Sequence, residues 1–316
     1  MADAKIQVTV PHADPAVVDE LLVGAVDLHI HSGPSLMPRR LDHIEALREA
    51  DAAGMAAIVL KDHYYPTMPI AALLNSHLGT KAKAIGSIVL NNPLGDFNVH
   101  AVDYALKQGA RIVWMPTAHA KNHLDHYKTD QKFDQKFPQS TKQLMEPAPL
   151  TLTDEKGNVV DKVKAILDLI AAADAVVSGG HHHVSELWAF YEEAKKRGVR
   201  RLLLNHPTYV NEASFQDISQ LVRMGVKMEH SVCMFVPSIF TMFDREHLKQ
   251  VIDAAGIENT FFGSDLGQVG NPTPVEGYRQ MIAILLDLGY AQDQIRTMIA
   301  TNAAQLIGLE AQGPDA

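Results

Sequence analysis

His29 and His31 are separated by one residue in the stretch Asp27-Leu28-His29-Ile30-His31. Side chains alternate along an extended strand, so both imidazoles project from one face and can grip one cation between them. Further groups of this kind recur along the chain: Lys61-Asp62-His63, Gly179-Gly180-His181-His182-His183, Asn205-His206-Pro207, Glu229-His230 and Ser264-Asp265. Imidazole nitrogen and carboxylate oxygen are the donors that Zn²⁺ and other divalent first-row ions accept, and a catalytic site leaves one position for water. Such an ion would lower the pKa of its water and polarise a scissile bond while a nearby carboxylate takes the proton. The chain has 16 histidines but a single cysteine, Cys233, which excludes a cysteine-built structural zinc site.

Each group follows a short apolar run. The runs are GAVDLHI (Gly24 to Ile30), MAAIVL (Met55 to Leu60), AKAIGSIVL (Ala82 to Leu90), RIVWM (Arg111 to Met115), Ala175 to Ser178, RLLL (Arg201 to Leu204), Val226 to Glu229 and NTFFG (Asn259 to Gly263). Amphipathic stretches alternate with them, for instance Leu41 to Ala53, Val99 to Gln108, Asp161 to Ala173 and Ser185 to Arg197. This alternation predicts a (β/α)₈ barrel of the TIM type, an α/β fold in which one domain spans residues 1–316. Barrel enzymes carry their sites at the C-terminal ends of the strands, where these residues fall. Residues 117–160 interrupt the rhythm after strand four. They are polar and too long for a routine connection, which predicts an inserted lid ending in a hairpin about Asp154–Gly157.

Composition narrows the partners. A net charge of −9 and scattered basic residues argue against a nucleic-acid surface. No apolar stretch approaches the roughly 20 residues that span a bilayer. One cysteine and an N-terminus without an apolar leader point to the cytoplasm. The partners expected are a small-molecule substrate, anionic if Lys61, Arg39 and Arg40 face it, and further copies of the chain in a homo-oligomer.

The arrangement resembles the amidohydrolase superfamily of metal-dependent hydrolases. The matching features are His29-x-His31 on strand one, His181 on strand five, His206 on strand six and Asp265 on strand eight. The closing stretch Ile295 to Leu309 (IRTMIATNAAQLIGL) is also similar. The resemblance implies that His29, His31 and Asp265 bind metal, that His181 and His206 bind a second ion or the substrate, and that Asp265 doubles as general base. One or two ions follow, Zn²⁺ or a relative. Strand four ends Trp114-Met115-Pro116-Thr117, without the lysine that binuclear members place there, whereas Lys61 stands on strand two. Lys61 could bridge metals, bind a substrate anion as an ammonium, or accompany a single-metal site; the last two are favoured.

Other residues have plainer readings. His63 could support the ligands or the substrate, and Arg39 and Arg40 could hold an anion. Glu229 and His230 read as strand-end caps more than as ligands. His119, His123 and His126 in the insertion read as solvated unless the segment folds over the substrate. Cys233 reads as an inert thiol, and Met224, Met228, Met234 and Met242 as core filler. The expected reaction is hydrolysis of a C–N or C–O bond in a small amide, lactone or ester. DLHIHS, KDH and NHP also resemble the polymerase-and-histidinol-phosphatase phosphoesterases, although Gly267 stands where that family carries a histidine. Decarboxylation or hydration on the same scaffold, and metal binding without turnover, are the remaining alternatives.

Overall fold

The computed structural model describes residues 6–129 and 145–309. Eight strands run in sequence order: β1 (Val26–Ile30), β2 (Ala57–Leu60), β3 (Lys83–Val89), β4 (Ile112–Trp114), β5 (Val176–Ser178), β6 (Arg201–Asn205), β7 (Val226–Ser231) and β8 (Thr260–Gly263). All neighbours pair in parallel. The ring closes between its first and last members: Asp265 N donates to His29 O at 2.7 Å, and Ile30 and Leu266 form a parallel bridge. Helices connect the strands, as the alternating apolar runs predict, giving a (β/α)₈ barrel.

Period-two alternation sorts the strand residues into two cores. Val59, Val89, Ile112, Trp114, Val176, Leu203 and Phe261 form one buried cluster with Ala303, Leu306 and Ile307 of the closing helix. These fill the barrel interior, and the C-terminal helix covers one end. Their strand neighbours Ile58, Leu60, Val113, Val177 and Leu204 belong to the second cluster, packed beneath the surrounding helices.

In β1 this alternation is broken. Asp27 pairs with Ile58 and Ile30 with Leu60, so β1 carries one more residue than β2 across the same interval. Such a bulge shifts the phase and re-aims side chains. Val26 and Leu28 contribute to the interior cluster while Ile30 faces the helices. His29 and His31 are thereby turned into the barrel mouth. The Asp27 carboxylate stabilises the bulge by accepting from His29 N at 3.0 Å and Ser264 N at 2.9 Å.

The insertion after β4 has structure of its own. Lys121–Thr129 is a helix, α5 in chain order, that the polar composition of the segment does not predict. Just before it Ala120 bridges Leu150, and further on Thr153 pairs antiparallel with Val159 around the turn in which Asp154 N donates to Asn158 O at 2.8 Å. Residues 130–144 of the expected lid lie outside the described residues. Among the described residues no helix is long and apolar enough to cross a membrane.

Candidate metal centre and active site

His29 Nε2 and His31 Nε2 lie 3.2 Å and 3.0 Å from the same oxygen, Asp265 Oδ1. Each ring is held from behind. His31 Nδ1 is 3.0 Å from the carbonyl oxygen of Lys61, which can only accept, so Nδ1 carries the ring proton. His29 Nδ1 donates to Glu229 Oε1 at 2.7 Å, and Lys61 Nζ donates to His29 Nε2 at 2.8 Å. Both rings therefore present an unprotonated Nε2 close to a carboxylate oxygen, that of His29 shared with the Lys61 ammonium. Acceptors facing one another at these distances repel unless a cation sits among them. Lys61 supplies one such charge, to His29. The pair formed by His31 Nε2 and Asp265 Oδ1 has room for another. One donor atom from each of His29, His31 and Asp265 lies within 4.8 Å of the other two, so the set fits a divalent first-row ion by both chemistry and spacing.

Burial reinforces this state of the rings. It pushes the His29 pKa down to about 3, with Asp265 opposing and Lys61 assisting, and pushes His31 well below the usual imidazole value. Burial likewise lowers the Lys61 ammonium, against Asp265 and Glu229, and raises the Glu229 carboxyl. Asp265 is the member open to solvent, with 17% of its side chain exposed. Its φ of 52° and the 35° of His206 lie in the left-handed region, where non-glycine residues are uncommon. His206 directly follows β6 and Asp265 comes two residues after β8, and the turn swings each side chain over the mouth.

His206 and His181 stand beside this set but outside it. Their rings are 4.8 Å apart, and His206 is 6.4 Å from His29, centroid to centroid. His206 Nε2 meets Asn205 Nδ2 at 2.6 Å, leaving Nδ1 buried without a protein partner. His181 Nδ1 lies 2.8 Å from His123 Nδ1, on the inserted α5. Of the histidine triplet, only His181 faces the cavity; His182 is buried near Glu186 and His183 caps the following helix. His63 holds Thr117 Oγ1 through Nδ1 at 2.8 Å, with its ring 4.9 Å from that of His31. Lys61 rests on the floor, its Nζ 4.3 Å from the Trp114 ring.

These residues line a cavity of about 400 Å³. The structure separates the paired arginines. Arg39 is in the cavity wall, whereas Arg40 turns outward, donating to the Asn271 carbonyl and lying 3.4 Å from Glu276. Several residues have roles that spacing alone does not reveal. Glu229 fixes the His29 ring by accepting from its Nδ1. Gly263 leaves the space for this, since a Cβ there would lie 2.7 Å from both Glu229 Cδ and His29 Cβ. His119 and His123 enter the cavity wall instead of solvent, whereas His126 pairs with Glu212 at 2.7 Å outside it. Cys233, Met234 and Met242 also line the cavity, while Met228 stays in the core. The only sequence hints were the ionisable residues at the end of β7 and the density of histidine in 117–126.

The profile of one family matches residues 24–229. The chain belongs to DUF6282, a family of unknown function. That match runs from β1 to Glu229 and stops short of Asp265. No functionally curated protein matches the chain in sequence. Solved structures are similar in shape along nearly all its length. An amidohydrolase from Pseudomonas aeruginosa has a TM-score of 0.61 at 11% identity, over 93% of this chain and 98% of that one. An organophosphorus hydrolase from Deinococcus radiodurans gives 0.57 at 12% identity, over 90% and 93%. A 2,6-dihydroxybenzoate decarboxylase from Rhizobium gives 0.53 at 13%, over 91% and 99%. At such identities the likeness establishes the fold alone: this DUF6282 member shares the (β/α)₈ barrel of these enzymes.

The neutral buried rings carry a consequence for stability. Burial lowers His230 and His123 to about 3 and His43 to about 4. Above pH 6.5 these rings are neutral folded or unfolded. Below it the unfolded chain takes up protons that the folded state refuses, so stability falls as pH drops. Asp27 and Glu229, each raised by burial to about 7, work in the opposite direction together with Asp62 and Glu49, but the buried rings of His29, His63, His181 and His206 leave the histidines in the majority. The chelated protein should lose at least about 5 °C of Tm between pH 7.5 and pH 5. A Tm that stays level or rises over that interval contradicts the neutral-ring assignment.

Proposed function

We propose that the protein is a metal-dependent hydrolase that cleaves a C–N or C–O bond of a small amide, lactone or ester. The observation that carries this is the convergence of unprotonated His29 Nε2 and His31 Nε2 on Asp265 Oδ1 at the mouth of an amidohydrolase-type barrel. His29, His31 and Asp265 would hold a Zn²⁺-like ion, with His181 and His206 beside them for a second ion or the substrate. Bound there, the ion would supply Lewis-acid polarisation and a water of lowered pKa.

The chain's own groups divide the remaining work. Asp265 faces the cavity and can take the proton lost by water and return it to the leaving group. Glu229 and the Lys61 carbonyl keep the His29 and His31 rings in the tautomer that leaves Nε2 unprotonated, the usual support of a metal-binding imidazole. Lys61 Nζ, held between His29 and Trp114, places a positive charge at the cavity floor where negative charge develops on the substrate oxygen. His206, with its buried unpartnered Nδ1, can hydrogen-bond the same oxygen or the leaving group.

Turnover of a panel of simple amides, lactones, carboxylic esters and a phosphomonoester, with Zn²⁺, Mn²⁺ or Co²⁺ added, tests this reading. Hydrolysis of at least one carboxylic-acid derivative is expected, abolished by chelation and restored by metal. Turnover of the phosphomonoester alone, or carbon dioxide release from a 2-hydroxybenzoate without any hydrolysis, would overturn it.

A further inference from the structure

Arg39 is a cation of the cavity wall whose ion pair, to Asp62, is a loose one. Only 4% of its side chain is exposed, yet Nε has no hydrogen-bond partner. Its nearest acid, Asp62 Oδ2, is 3.9 Å from Nη2, too far for a hydrogen bond, and that oxygen is itself unpartnered. The remaining contact is Nη2 to Ser35 Oγ at 3.3 Å. A buried guanidinium normally meets its desolvation cost through short, paired contacts to a carboxylate or phosphate. Here the donor fork is only partly used. Its backbone, in contrast, is well anchored: Arg39 bridges Gln268 antiparallel, and Arg40 N donates to Gly267 O at 2.8 Å, tying the β1 loop to the β8 loop.

The surroundings show what the fork would meet. Its charge depresses the proton affinity of His31, the Asp265 carboxylate in turn favours the charged guanidinium, and both line the same cavity, so Arg39 borders the proposed reaction centre. Apolar side chains supply much of the cavity wall, among them Leu36, Met37, Met234, Phe240 and Met242. Lys61, the other cation of the cavity, is already engaged with His29.

We propose that Arg39 is the specificity-determining residue of this site, holding a carboxylate carried by the substrate at a position separate from the scissile bond, while an apolar body rests on the Leu36, Met234 and Phe240 wall. The substrate class is then an amide, lactone or ester of small size that bears a free carboxylate and a hydrocarbon or aromatic portion. This rests on the hydrolase reading for the bond cleaved, but not for the anion held. Planar bidentate recognition distinguishes the fork from a lysine at the same place.

The experiment is calorimetric titration of metal-free, chelated protein with 4-phenylbutyrate and with its neutral isostere 4-phenylbutyramide. Wild type should prefer the carboxylate by about 10- to 100-fold, the range of a charged hydrogen bond. Arg39→Gln should abolish the preference and leave affinity for the amide within about threefold, matching the loss of a charged contact alone. If Arg39→Gln does not fold, Arg39→Lys carries the test, with a preference at least fivefold weaker than wild type. Equal affinities in wild type would overturn the proposal; a preference that survives Arg39→Gln or is undiminished in Arg39→Lys would overturn it too and pass the anion to Lys61. Because no metal or turnover is involved, failure of hydrolysis leaves this result standing. Failure of the binding preference leaves the hydrolase reading equally intact.

Discussion

Asp265→Asn, loaded with the metal that supports turnover, is expected to lose at least about 10³-fold in kcat/KM, the scale of removing a positioned general base. The substitution is close to isosteric, and asparagine is among the residues that accept the left-handed backbone found at this position. Fold and Tm should therefore persist. What disappears is the negative charge between His29 Nε2 and His31 Nε2 and the oxygen able to accept a proton. An Asp265→Asn enzyme that keeps more than a tenth of wild-type activity would remove Asp265 from the chemistry, and with it the acid–base half of the proposal.

The barrel was legible because its two periodicities are local. Runs such as AIVL and RLLL, bounded by Gly and charged residues, can only be short buried strands, and β2 and β6 lie there. His29-x-His31 could be read as a gripping pair for the same reason. Its aim into the barrel, however, depends on the bulge in β1, which arises from pairing with β2 and from Asp27 satisfying the amides of His29 and Ser264. No pattern within β1 announces that extra residue.

Partners distant in sequence were the harder part. Glu229 reaches His29 across 200 positions, and nothing at Glu229-His230 indicates which of the two faces inward. The register does: Glu229 pairs with Asn205 and Phe261, whereas His230 pairs with Phe262 and is buried on the other face. Arg39 and Arg40 are adjacent and chemically equal, and only the loop geometry sends one inward and the other to Glu276. His123 was obscured differently. The sequence KNHLDHYKT has too few apolar residues to show an amphipathic helix, because the buried face of α5 is made of polar side chains against His181.

The second large effect concerns the ion itself. His29→Ala and His31→Ala each remove one of the lone pairs that converge on Asp265 Oδ1. In His31→Ala the Lys61 carbonyl loses only a hydrogen-bond donor, so the barrel should stay folded. Loss of one ligand from a three-residue set, with Lys61 left beside the vacated position, should weaken binding far more than the roughly 10- to 100-fold expected for removing a supporting partner such as Glu229. Activity and metal should disappear together.

Metal content per chain is the most direct measurement. Wild type, His29→Ala and His31→Ala would be chelated, reconstituted with Zn²⁺, freed of excess ion and assayed by elemental analysis. At least about one tightly held ion per wild-type chain, and close to none in either folded variant, is the outcome expected of a ligand set that lacks cysteine. A wild-type protein that retains no divalent ion, or variants that retain as much as wild type, would show that His29, His31 and Asp265 do not share a cation.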